Sequence, residues 1–202
     1  MTKGLLLIVS GPAGSGKGTV NARLLERDDF VYSVSATTRS PRPGEVNGVN
    51  YHFISREDFL KRLESGDMLE YTEYCGNFYG TPRREAIAVL ESGKNLILEI
   101  EVEGARQVIE KYPDAVPIML LPPTFATQEA RLRGRATETE EKILARLART
   151  REELRDLGIY DYVVYNRDGA VDEAAADILA IVRAEKLSLS RNPDAEKKYF
   201  EN

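Results

Sequence analysis

Residues 5–10 (LLLIVS) form a short apolar run set between glycines, the pattern of a parallel strand buried on both faces. From Lys17 onward the apolar spacing turns helical through Val20, Leu24 and Leu25, which gives strand, glycine loop and helix in succession. The apolar signature returns at 96–101 (LILEIE), ahead of a helical stretch to about 111, and at 116–121 (VPIMLL), which stops at Pro122 and Pro123. Tyr162 to Tyr165 predicts a fourth strand, followed by a helix over 171–187. Strands alternating with helices predict an α/β fold with a parallel sheet covered on both faces.

The alternation breaks twice. Residues 34–90 hold short aromatic segments, a Pro/Gly-rich turn from Ser40 to Gly48 and helical patterns at 56–65 and 82–91, as an inserted lobe would. Residues 125–157 are helical and rich in arginine, with a capping-box signal at Thr137 and Glu140. The tail from Ser188 is polar and reads as loosely held.

A chain of 202 residues with 42% hydrophobic content suits one α/β unit with appended lobes rather than two large domains. Its net charge of −5 supplies no global positive field for nucleic acid or anionic membrane, so an anion must be gripped locally. The lone Cys75 rules out an intramolecular disulfide and suits a reducing compartment. The first apolar run is too short for a signal segment or a membrane span, and the expectation is a soluble, cytoplasmic protein.

The local grip is Gly11, Pro12, Ala13, Gly14, Ser15, Gly16 and Lys17 (GPAGSGK), the GxxxxGK part of a P-loop, placed between predicted strand and helix. Glycines let successive backbone N–H groups turn toward one anion, the helix N-terminus adds favourable potential, and Lys17 reaches the outer phosphates. Position 18 is Gly18 where the full pattern has Ser or Thr, so the usual hydroxyl for Mg²⁺ is missing, and Thr19 is the nearest substitute. This loop predicts a nucleotide phosphate donor.

Thr37 to Tyr51 (TTRSPRPGEVNGVNY) resembles the acceptor segment of the guanylate kinase family, TTRxPRxGExxGxxY. Arg39 and Arg42 lie on a stiff stretch across Pro41 and Pro43, which makes an anion clamp that loses little entropy on binding. The resemblance implies that Arg39, Arg42, Tyr51 and Tyr79 hold the phosphate of GMP. It continues through Met68 to Pro82 (MLEYTEYCGNFYGTP), where Glu70 and Thr81 take the places of the family's base-reading glutamate and hydroxyl, with Ser35 as a further base contact. Guanine presents two adjacent donors, N1–H and the 2-amino group, that one carboxylate can accept side by side; adenine does not.

The resemblance further implies a three-layer P-loop kinase core of residues 1–33, 91–124 and 156–202, an inserted α+β GMP-binding lobe of residues 34–90 and a helical lid of residues 125–155. Glu99 and Glu101, two apart in the predicted second strand, would share one face near its carboxyl end. The family usually has aspartates there; carried over, Glu99 steadies Mg²⁺ through water and Glu101 approaches the acceptor nucleoside. The other reading of Glu101 is a favourable charge starting the next helix. RLRGRATETEEKILARL (131–147) resembles the lid, where Arg135 and Arg146 would close over the triphosphate, while Arg131, Arg133, Arg149, Arg151 and Arg155 can equally solvate a helix face. Asn166, Arg167 and Asp168 fall where the family has a polar loop near the donor adenine, or form a simple turn.

The implied activity is transfer of the γ-phosphate of ATP to GMP, with Lys17, Arg39, Arg135 and Arg146 as catalytic groups and Mg²⁺ as cofactor. Two alternatives stand beside it: a kinase of another nucleoside monophosphate, suggested by GKGT at 16–19, and a non-catalytic guanylate-kinase-like module that binds phosphoproteins. Glu70 opposes the first; Lys17 and its glycines oppose the second.

Overall fold

The computed structural model describes residues 3–134 and 139–201. Among them the order of elements is β1 (Leu6–Ser10), α1 (Lys17–Leu25), β2 (Phe30–Tyr32), β3 (Ala36–Thr37), β4 (His52–Phe53), α2 (Arg56–Glu64), β5 (Met68–Tyr74), β6 (Asn77–Pro82), α3 (Arg83–Glu91), β7 (Asn95–Leu98), α4 (Val102–Lys111), β8 (Val116–Leu121), α5 (Phe125–Gly134), α6 (Glu140–Glu153), β9 (Tyr162–Tyr165), α7 (Val171–Leu187) and α8 (Ala195–Phe200). Strands β2, β7, β1, β8 and β9 line up in that order as a parallel sheet.

The period-2 geometry of β1 explains the three layers. Leu7 and Val9 point to one face, where they meet Val20 and Leu24 of α1 and Ala174, Ile178 and Val182 of α7. Leu6 and Ile8 point to the other, where they meet Ala86 and Leu90 of α3 and Ala105 and Val108 of α4. Both sets are at least nine-tenths buried, which is why this strand reads as a continuous apolar run.

A smaller sheet, ordered β4, β3, β6 and β5, joins β3 to β4 in parallel and the other pairs antiparallel. Its core is Ala36, Phe59, Met68 and Phe78, with the rings of Phe59 and Phe78 stacked at 5.2 Å. The two sheets meet through Leu69 of β5, which packs among Leu6, Ile8 and α4. Beyond the central layers, Leu132 of α5 and Ile143 and Leu147 of α6 close around Ala13.

One strand is shorter than its apolar run predicts. β7 stops at Leu98, paired with Ile8, because β1 departs into the glycine loop after Ser10 and no strand pairs with residues 99–101. Glu99 and Glu101 therefore do not share a strand face: Glu99 lies just past the strand end and Glu101 is the N-cap residue of α4. At the lid, α6 begins at Glu140 with Thr139 as its N-cap, and Thr137 of the expected capping box lies outside the described residues. The tail folds back into α8, whose Tyr199 and Phe200 are exposed.

Candidate functional site

The site lies at the carboxyl ends of β1 and β7, where open α/β sheets bind ligands. Gly14 and Gly16 adopt φ of 85° and 88°, in the left-handed region that a side chain would strain, and Gly16 caps α1. Close approach adds to this: a Cβ on Gly11 would stand 2.2 Å from the Leu120 carbonyl, and one on Gly16 would stand 2.2 Å from Asn166 Nδ2. The loop is closed by Ser15 N–H donating to the Pro12 carbonyl at 3.1 Å. Lys17 Nζ folds over it and donates to the Gly11 carbonyl at 2.6 Å. Gly18 and Thr19 are exposed on the first turns of α1.

Three side chains outside the loop hold its shape from behind. Asn166, 4% exposed, donates to the Ser15 carbonyl at 2.8 Å. Gln128 of α5, 1% exposed, donates from one amide to Ala13 O at 2.9 Å and to Thr150 Oγ1 of α6 at 2.7 Å. Arg131 donates to the carbonyls of Gly14 and Asn166 and pairs with Asp168 at 2.7 Å. The glycine pattern identifies the loop itself; it carries no signal for Gln128, and Arg131 is not separable by sequence from its solvated neighbours.

The acceptor cluster assembles around Arg39. Its Nη1 and Nη2 donate to the two oxygens of Glu45, and Nη1 also donates to the Ser40 carbonyl at 2.8 Å. The guanidinium stands over the rings of Tyr51 and Phe53, at 5.4 and 5.6 Å, and the Tyr51 and Tyr79 rings meet edge to face at 6.0 Å. Glu45 also accepts from Arg42 N–H at 2.7 Å, so one carboxylate fixes both the Arg39 head and the Arg42 backbone. The Arg39 hydrogen bond, helped by that of Arg42, brings the Glu45 carboxyl down to about 2. Sequence reasoning missed this role of Glu45 although the residue sits inside the motif. The Arg42 side chain itself is exposed.

Between this cluster and the glycine loop runs a cleft lined by Tyr32, Ser33, Ser35, Asn50, Tyr51, Thr81, Leu98, Glu99 and Ile100. Behind Thr81 stands Glu70, 5% exposed, accepting from Thr81 Oγ1 at 2.7 Å. The two residues are opposite each other in the β5–β6 ladder. Burial pushes the Glu70 carboxyl up; hydrogen bonds from Thr81 and the charge of Lys111 pull it partly back. Glu99 accepts from Asn21 Nδ2 at 2.9 Å and from Tyr32 O–H at 3.4 Å. Burial, with Glu99 close by, pushes the Tyr32 phenol up.

The remaining expected residues fall farther apart. Glu101 is paired with Arg149 of α6, away from the cleft, and Arg149 also binds Glu153. Arg146 is exposed on α6, its carbonyl accepting from Thr150 Oγ1 at 3.0 Å. Arg135 lies outside the described residues. Of the other lid arginines, Arg133 pairs with Glu129 and Glu140, and Arg151 lies over the Phe125 ring at 5.2 Å. Among the described residues no group of three or more His, Cys, Asp or Glu is arranged to hold a metal ion, and no helix is long and apolar enough to cross a membrane.

The same arrangement recurs in known proteins. The family model described as guanylate kinase matches residues 3–185. A guanylate kinase of Halalkalibacterium halodurans is 50% identical over 190 residues, covering 94% of this chain and 92% of the relative. One from Clostridioides difficile is 47% identical at the same coverage. The crystal structure of guanylate kinase from Anaplasma phagocytophilum aligns with a TM-score of 0.72 at 34% identity, covering 95% of this chain and 90% of that one. Family model, relatives and solved structure agree across nearly the whole length, and the chain belongs to the guanylate kinase family.

Proposed function

We propose that the chain is an ATP:GMP phosphotransferase in which the loop Gly11–Thr19 holds the donor, the cluster of Arg39, Arg42, Tyr51 and Tyr79 holds the acceptor phosphate, and Glu70 with Thr81 and Ser35 reads guanine. The observation that carries the reading is the pairing of Glu70 with Thr81, which fixes a buried carboxylate at the back of the same cleft whose mouth is the Arg39 cluster. A buried acceptor left without a donor is costly, so AMP, which has neither donor in the right place, is disfavoured.

In-line transfer then needs little more than positioning and charge. The second pKa of a phosphate monoester is about 6, so the attacking oxygen of GMP is largely ionised at neutral pH and no general base is required. Lys17 moves from the Gly11 carbonyl onto the β and γ phosphates as they displace it. Arg39 and Arg42 present the acceptor in line, and Arg135 and Arg146 reach the transferring group when α5 and α6 close and exclude water. The Gln128 bridge from Ala13 to Thr150 ties that movement to the loop.

The residues present fit Mg²⁺ carried in by the nucleotide rather than a cage made by the protein. Gly18 offers no hydroxyl, while Glu99 stands at the cleft wall with an oxygen held by Asn21, suited to accept from metal-bound water. Bound with ATP, the ion would neutralise charge on the phosphate oxygens. Glu101, engaged by Arg149, reaches the acceptor nucleoside only once that pair opens. The same reading makes the enzyme cytoplasmic and its partners small molecules, with neither nucleic acid nor membrane among them; the net charge of −5 and the free, exposed Cys75 support it.

A coupled ADP-release assay with ATP and a panel of GMP, AMP, CMP and UMP tests the reading. GMP is expected to be turned over with a kcat/KM on the order of 10⁴ above that of AMP. Comparable turnover of AMP would overturn the role of Glu70.

A further inference from the structure

Gly104 occupies the first turn of α4 and is buried. Its backbone is not in the left-handed region, which the described residues reserve for other glycines, so conformation does not demand glycine there. Glycine is also a poor helix former, and a helix that keeps one without a backbone reason does so for close approach. What approaches is the base-reading carboxylate: a Cβ on Gly104 would stand 3.1 Å from Glu70 Oε2, 3.6 Å from Glu70 Cδ and 3.5 Å from the Ile100 Cβ.

Neither partner has room to withdraw. Glu70 Oε1 is tethered to Thr81 Oγ1 at 2.7 Å, and both residues are buried. The helix is stitched to β5 on each side of Glu70: Gln107 exchanges hydrogen bonds with Tyr71 N–H and C=O at 3.1 and 3.0 Å, and Lys111 Nζ reaches the Met68 carbonyl at 3.4 Å. An added methyl group must therefore be accommodated by rotation of the carboxylate.

We propose that Gly104 is a positioning residue for base selection: the bare surface of α4 leaves Glu70 in the orientation in which its two oxygens can meet the N1–H and 2-amino donors of guanine. This rests on the reading of Glu70 as the guanine-reading group. The consequence is specific to the purine edge, because the donor loop and the phosphate cluster do not touch α4 at this point.

The test compares Gly104→Ala, Glu70→Gln and the double variant, each assayed with GMP and with inosine monophosphate, which keeps N1–H but lacks the 2-amino group. Gly104→Ala is expected to lower kcat/KM for GMP about tenfold or more, to shrink the preference for GMP over inosine monophosphate, and to leave KM for ATP unchanged. The double variant is expected to be no worse than Glu70→Gln alone, since both changes act on one interaction. If Glu70→Gln leaves the base preferences intact, the reading of Glu70 fails. If Glu70→Gln abolishes them while Gly104→Ala keeps the preference for GMP, or lowers use of every substrate alike, the inference about Gly104 is overturned. Should Gly104→Ala not fold, recovery of the fold in Gly104→Ala/Glu70→Ala supports the contact, and failure of that pair too overturns it.

Discussion

Arg39 grips Glu45 with both ends of its guanidinium, Nη1 to Oε2 and Nη2 to Oε1, each at 2.9 Å. Both side chains are mostly buried, at 15% and 19% exposure, so this pair is not an ordinary surface ion pair. It holds Arg39 over Tyr51 while leaving part of a five-donor group for a phosphate. Glu45→Gln keeps the shape and removes the bidentate charge, and is expected to raise KM for GMP on the order of tenfold with kcat nearly unchanged. Initial rates at varied GMP and saturating ATP measure it; a fall in kcat at constant KM would show that Glu45 acts in the transition state instead.

The two acceptor-side carboxylates titrate in opposite directions, and this separates them by pH. The Glu45 value of about 2 lies below its ordinary 4.5, so its contribution to the fold is complete above 4.5 and is lost only as pH falls through about 2. Glu70 is pushed up by burial, so the folded protein holds its proton to higher pH than the unfolded chain does, and ionising it costs stability as pH rises above 4.5. Guanine donors favour the ionised form. GMP affinity is therefore expected to strengthen as pH rises through the raised Glu70 value, with a proton released on binding below it. Calorimetry in buffers of different ionisation enthalpy reads that proton. Glu70→Gln is expected to leave only the titration of the GMP phosphate itself; persistence of the full slope would remove Glu70 from the binding reaction.

Lys17 rests on its own loop, with Nζ 2.6 Å from the Gly11 carbonyl. Its replacement therefore removes a loop contact as well as a phosphate ligand, and the two effects need separate readouts. Lys17→Ala is expected to lower kcat by at least about 10²–10³, while the Kd for GMP stays within about twofold because the acceptor cluster lies elsewhere. Loss of GMP binding together with activity would indicate that the lysine maintains the site structurally.

Much of this arrangement was legible in the sequence, and the parts that were not have physical reasons. β8, β9 and α7 fall where apolar runs and helical periodicity put them, because burial on one or both faces writes itself into residue type. The run at 96–101 misleads because a strand end is decided by its neighbours: β1 leaves the sheet, and Glu99 and Glu101 lose the shared face that alternation implied. Arg39, Tyr51 and Tyr79 come together as their spacing suggested. Gln128 and Gly104 are silent in one dimension, since a buried amide bridging two carriers and a helix surface left bare for a distant carboxylate are properties of the packed molecule.

Gly18 is the clearest departure from the P-loop pattern, and the structure makes it testable without disturbing its surroundings. It lies exposed in the first turn of α1, outside the left-handed region, and a Cβ there would meet nothing within 4 Å. Gly18→Ser is therefore expected to stabilise the helix by a few tenths of a kcal/mol, a rise of about 1–2 °C in Tm. It also restores the hydroxyl that commonly ligates Mg²⁺ in such loops. If water steadied by Glu99 now does that work, the Mg²⁺ concentration for half-maximal rate should fall several-fold in Gly18→Ser. Glu99→Gln should then raise it more in the parent protein than in Gly18→Ser, because only the parent depends on the carboxylate. A Mg²⁺ titration of the ADP-release rate decides between these outcomes: an unchanged requirement in Gly18→Ser would mean that the nucleotide oxygens and water already complete the ion's shell.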